Sequence, residues 1–162
     1  MNKIMMAVLI AILASAPALA DTSAAAKTFD QIKALAGTWE GKDTTGRAVK
    51  VTFKVTANGS AVMSEIHDDE DMITMFNMDG DRVLMTHYCA AGNQPRMVAD
   101  ASADGKEIKF EFLDATNLSG PHAGHMHHVV FSNPDADHHN EEWLFMAGDK
   151  TIKETFNLQR VK

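Results

Sequence analysis

Cys89 is the only cysteine in the sequence, and that scarcity settles several questions. One thiol cannot form an intramolecular disulfide, so the fold must be held by its own core. No Cys-x-x-Cys pair and no His-Glu-x-x-His run occurs, which removes the usual frameworks of zinc modules and zinc hydrolases. Basic charge is also sparse. Lys and Arg number 15 against 22 Asp and Glu, a formal net charge of −7. An acidic chain without a basic cluster argues against nucleic acid and against an anionic membrane surface as partners. The apolar run from Ile4 to Leu13 is too short to span a bilayer as a helix.

That run instead belongs to a signal-peptide pattern. Met1-Asn2-Lys3 supplies the positive start and Ala18-Leu19-Ala20 the small-x-small cleavage site. Residues 1–20 are therefore expected to be removed after Ala20, leaving a periplasmic or secreted protein that begins at Asp21. No Cys follows the small residues, so a lipid-anchored form is not expected. Residues 21–27 read as a flexible leader and 28–162 as one domain, large enough for a core.

Within that domain the hydrophobic period changes early. Thr28 is placed to cap a short helix through about Ala36, with Phe29, Ile32 and Leu35 on one face and Gly37 ending it. From Trp39 onward the period is two. Val49, Val51, Phe53 and Val55 alternate with Lys50, Thr52, Lys54 and Thr56, the pattern of a half-buried strand. Asn58-Gly59, Asp79-Gly80-Asp81, Asp104-Gly105, Asn133-Pro134-Asp135-Ala136 and Gly148-Asp149 punctuate the rest as hairpin turns. The reading is all-β: a closed antiparallel up-and-down barrel of about ten strands, with one short N-terminal helix. Barrels of this size are either filled by side chains or hold one small ligand.

Several residues carry a resemblance. Gly37-Thr38-Trp39 near the start and Arg160 on the final strand resemble the calycin superfamily, which includes lipocalins and fatty-acid-binding proteins. In that superfamily a late Arg packs across the early Trp, so Gly37, Trp39 and Arg160 are implied to close the barrel. Thr86-His87-Tyr88 stands where lipocalins carry Thr-Asp-Tyr, with His in place of Asp. The chain is also similar to a bacterial exported family of unknown function that shares this barrel. The likeness runs through Leu35–Gly41, Thr86–Cys89 with Gly92–Met97, and Asp135–His138 ahead of Trp143. A more distant likeness, to nitrobindin-type barrels, implies haem held by a His, although Lys42-Asp43 departs from that family's glycine-rich opening.

The chemistry-bearing residues fall in three groups. His122, His125, His127 and His128 crowd one stretch. His125 and His127 share a strand face about 7 Å apart, a spacing that chelates zinc or copper if His138, Glu142 or Asp137 adds a third ligand. The plainer alternative makes these histidines outward groups paired with Glu141 and Glu142. His87 and Cys89 share a second face but stand too far apart for a thiol–imidazole dyad, so Cys89 reads as inert beside a cavity-lining His87. Asn93, Gln94 and Arg96 offer polar contacts, with Arg96 either gripping an anionic head group inside or pairing with an acid on the surface. Scattered methionines give a soft apolar lining. The acidic loop Asp68–Asp71 lacks the spacing of a calcium loop.

Three functions follow as expectations. The first is a non-enzymatic carrier of a small, largely apolar and possibly lipid-like anionic ligand, bound by His87, Tyr88, Cys89, Asn93, Gln94, Arg96, His125, His127 and Trp143. The second is a zinc-, copper- or haem-binding barrel using His125, His127 and His138. The third is an enzyme with His87 as acid or base. A monomer or weak dimer with no nucleic-acid partner is expected throughout.

Overall fold

Each strand of this protein pairs with its neighbours in sequence, and the last returns to the first. In the computed structural model, which describes residues 23–102 and 105–162, α1 (Ala24–Ala34) precedes β1 (Gly37–Lys42), β2 (Ala48–Thr56), β3 (Ala61–His67), β4 (Met72–Asp79) and β5 (Arg82–Tyr88). The chain continues through β6 (Gln94–Ala101), β7 (Glu107–Thr116), β8 (His125–Ser132), β9 (His138–Ala147) and β10 (Lys150–Arg160). All pairings are antiparallel, and β1 pairs with both β2 and β10, so the barrel is closed and leaves no free edge. The signal segment and its cleavage after Ala20 lie outside the described residues, as does Asp104 of the expected Asp104-Gly105 turn. Among the described residues no helix is long and apolar enough to cross a membrane.

The ten-stranded all-β barrel with one short helix agrees with the sequence pattern, and the differences sit at the ends of elements. The helix starts at Ala24 with Ser23 as its cap, whose hydroxyl accepts from Ala26 N at 3.1 Å. Ala24–Lys27 are therefore helical, where a flexible leader is expected from composition. Thr28, the expected cap, is buried inside the helix, and its hydroxyl donates to the Ala24 carbonyl at 3.0 Å. Asn58-Gly59 forms a 3-10 turn over Ala57–Gly59 in which Ala57 and Asn58 both take positive φ.

Closure demands one glycine in particular. A Cβ on Gly41 would lie 1.8 Å from the Asn157 carbonyl oxygen across the β1–β10 seam. No side chain can occupy that space, so the strands approach here only because Gly41 has none.

Inside, the barrel is packed with rings. Phe53, Phe76, Phe110 and Phe131 are all buried, with Phe110 edge-on to Phe131 at 5.2 Å and Phe76 tilted against Phe110 at 5.6 Å. Met85 and Met97 fill between them, as flexible thioethers do in irregular gaps. The helix covers one end of the tube through Phe29, Ile32 and Leu35, all buried. These rings occupy the helix-covered half of the lumen.

Candidate ligand-binding cavity

At the covered end Trp39 is buried and Arg160 Cζ lies 4.1 Å from its ring centroid. The guanidinium donates to the carbonyls of Ala34, Ala36 and Ala136 at 3.0, 2.9 and 3.0 Å. One side chain thus satisfies the helix C-terminus, the entry to β1 and the β8–β9 turn.

Next comes a buried polar chain. His139 Nδ1 meets Asn133 Oδ1 at 2.8 Å, and its Nε2 meets Glu141 Oε1 at 3.0 Å. Glu141 Oε2 accepts from Trp143 Nε1 at 2.8 Å. His139 and Glu141 are fully buried, and Trp39, Phe53 and Phe131 surround the imidazole at 5.0–5.6 Å. Both carboxylate oxygens have a ring-nitrogen partner within hydrogen-bond distance, as a buried acid requires. The sequence does not announce this chain: His139 and Glu141 read there as outward groups, and only Trp143 as a residue of the interior. The signal is their parity: His139, Glu141 and Trp143 alternate on one strand face, and Trp143 marks that face as internal.

Trp143 in turn packs on His87 at 4.8 Å between ring centroids. His87 is fully buried, its Nδ1 shares a hydrogen bond with Thr74 Oγ1 at 2.9 Å, and its Nε2 bonds no described residue. Burial alone pushes its pKa down to about 4.

One inward step beyond this layer the packing opens. On the same inward face Met72 lies two residues before Thr74 on β4, Cys89 two after His87 just past β5, Phe145 two after Trp143 on β9, and Glu154 two before Phe156 on β10. With Met126 these residues wall a cavity of about 570 Å³ at the end of the barrel away from α1. Its rim carries Arg47, Asp68, Asp69 and Glu70. Arg47 is already engaged. Its Nε donates to Asp43 at 2.5 Å, its Nη2 lies 3.3 Å from Glu154, and its Nη1 pairs with Asp69. Burial works to raise the Asp43 carboxyl, but hydrogen bonds from Thr45 and Arg47 outweigh it and hold the pKa at about 2. Burial, reinforced by Asp68, pushes the Glu154 carboxyl up against the pull of Arg47. Burial also raises the Cys89 thiol, which is therefore protonated at neutral pH.

The structure sorts the residues singled out by sequence. Cys89 lines the cavity, while His87 and Trp143 lie one layer beneath it. Tyr88 faces outward and is 49 % exposed. Gln94 is also outside, where it accepts from Thr116 Oγ1 at 2.8 Å. Asn93 is buried and donates to the Gly124 carbonyl at 2.7 Å, with its Oδ1 bonded to no described residue. Arg96 does not point into the barrel. It alternates with buried Pro95 and Met97 and forms a two-pronged pair with Asp114 on the outer face, Nε to Oδ1 at 2.6 Å. The expected internal anchor for an anion is thereby replaced by the surface pairing.

The histidines separate as well. His125 and His127 come together, Nε2 to Nδ1 at 3.3 Å, because the β8–β9 register shifts between Met126 and His128. His138 is not with them. It lies at the far end of the β8–β9 hairpin, exposed and bonded to Asp135, so it cannot be their third ligand. Glu142 pairs with Lys153 at 2.5 Å and Asp137 with Lys162 at 3.1 Å. Among the described residues no group of three or more His, Cys, Asp or Glu side chains gathers to hold a metal, and no imidazole lines the cavity.

No family model matches the chain, and no curated protein does. Solved structures do match. The crystal structure of Rv2717c from M. tuberculosis superposes with a TM-score of 0.57 at 15% identity, covering 83% of this chain and 98% of that one. The chain is therefore similar to Rv2717c in its fold, which here is a closed antiparallel barrel of ten strands.

Proposed function

We propose that this protein is an exported, non-enzymatic barrel that holds a small, largely apolar molecule in the cavity at its uncovered end. The observation that carries the reading is the change of filling along the lumen. Rings and methionines pack one half solid, whereas a space of about 570 Å³ remains above the His87–Trp143 layer. That is the size of a small-molecule site, and Met72, Met126 and Phe145 give it the adaptable apolar wall such sites use.

The rim sets the polarity of the guest. Asp68, Asp69, Glu70 and Glu154 face the opening against Arg47 alone, and Arg47 is held by Asp43, Asp69 and Glu154. An anionic head group would meet repulsion there and find no unengaged cation. The ligand class is accordingly an apolar body with a neutral or positively charged end, rather than the fatty-acid type that an inward Arg96 would serve. Catalysis by His87 is disfavoured because an acid or base must come within hydrogen-bond reach of its substrate. His87 is sealed beneath the cavity wall.

Fluorescent amphiphiles with one apolar tail and cationic, neutral or anionic heads test this. The cationic and neutral probes should bind and compete with one another, and the anionic probe should bind at least about tenfold more weakly. Equal affinity for all three heads, or tightest binding by the anionic probe, contradicts the reading.

A further inference from the structure

His125 and His127 meet on β8, outside the cavity wall. In an unbroken strand, side chains two apart stand about 7 Å from each other. Here the irregularity between Met126 and His128 leaves His127 without a register partner and draws the two rings to 5.4 Å between centroids. The facing nitrogens, His125 Nε2 and His127 Nδ1, are 3.3 Å apart. Two ligands at ordinary metal–imidazole distance stand about 3.3–3.4 Å apart in a tetrahedral site and about 2.8–2.9 Å apart at the right angle of a tetragonal copper site, so the observed pair fits the first and must close by about half an ångström for the second.

The proton positions favour the same geometry. His125 Nδ1 lies 2.8 Å from the Ala123 carbonyl oxygen, which can only accept, so Nδ1 carries the proton. The lone pair of neutral His125 is therefore on Nε2, aimed at His127. Such a backbone carbonyl behind a ring is the usual outer support of a metal-bound imidazole. A proton on His127 Nδ1 makes a hydrogen bond to His125. Moved to Nε2, it leaves two lone pairs converging on one point. Phe112 fixes both rings, stacked on His127 at 4.8 Å and tilted against His125 at 4.9 Å.

We infer that His125 Nε2 and His127 Nδ1 form a bidentate site for one divalent transition-metal ion, with Cu(II) preferred over Zn(II). Two imidazoles suit either ion, and the general affinity order of such sites places Cu(II) first. Both residues are part-exposed, so an ion can reach them and water can complete its coordination. Glu111, on the neighbouring strand and bonded to His128 Nδ1 at 3.1 Å, adds negative charge alongside. Neither imidazole lines the cavity, although Met126 between them does.

The test is titration of untagged mature protein with Cu(II), followed by electron paramagnetic resonance. One ion per chain with hyperfine coupling to two imidazole nitrogens is expected. His125→Gln and His127→Gln should each weaken binding by about 100-fold, the loss of a second, tethered ligand. His138→Gln should change nothing. Circular dichroism establishes that each variant is folded. The unsubstituted protein gives a second measurement: substoichiometric Cu(II) should broaden the imidazole resonances of His125 and His127 before those of His138. Binding that survives both substitutions, falls equally with His138→Gln, or is missing from the unsubstituted protein overturns the site.

Discussion

Trp39 and Arg160 face one another in register across the β1–β10 seam, and the guanidinium carbon sits 4.1 Å from the indole centroid. This contact joins the first strand to the last. It also fixes the helix over one end, because the same guanidinium bonds the Ala34 and Ala36 carbonyls. The barrel thus has one end tied shut and one left open, and that asymmetry is what leaves room for a ligand.

Replacing Arg160 should loosen the closed end. Arg160→Ala removes the cation–ring contact and three hydrogen bonds, and should lower stability by about 2–3 kcal/mol. Arg160→Lys should recover only part of that, since an ammonium cannot present a planar fork to three carbonyls while lying over a ring. Urea unfolding midpoints measure both.

Glu141 should be less replaceable than any surface acid. Glu141→Ala leaves His139 and Trp143 with buried, unpartnered nitrogens and should cost about 3–5 kcal/mol, whereas Glu141→Gln keeps the shape and should cost less. Thermal unfolding of the two variants beside the parent checks the order.

Acid should weaken the fold through His87. Its pKa lies near 4 in the folded protein against an ordinary value of 6.5. Above about pH 6.5 it is neutral in both states, and its contribution is fully present. Between 6.5 and 4 only the unfolded chain takes up the proton, so stability falls as pH falls, by about 3 kcal/mol over the window. Below 4 both states bind it and the loss stops. His87→Leu should flatten this part of the profile relative to the parent, read from urea midpoints between pH 4 and 7.

Arg96→Ala should do little. The pair with Asp114 is 41 % and 46 % exposed, and such pairs contribute about 0–1 kcal/mol. Probe uptake by the cavity should be unchanged, because neither residue reaches it.

The barrel is legible in the sequence wherever local chemistry dictates geometry. Asp79-Gly80-Asp81 can only be a tight turn, and the run Val49–Thr56 can only bury one face. The sites are harder to read because two register shifts decide them. The shift between Met126 and His128 draws together two imidazoles that ordinary spacing would keep apart, and another lies between Arg96 and Met97. No residue type marks either position. The outward place of Arg96 was nevertheless available from its alternation with Met97. His139 and Glu141 mislead for the opposite reason: charged residues are usually outside, and here each buries the other. The helix starts early because Ser23 caps it and Thr28 turns its hydroxyl back onto Ala24.

Native mass spectrometry of the untagged protein, beside a Met126→Trp variant that fills the open end, tests the central claim most directly. The account predicts a non-covalent adduct of small-molecule mass on the parent protein and its loss from the folded variant. A bare parent protein, or an adduct retained at equal occupancy when Trp fills the cavity, would contradict it.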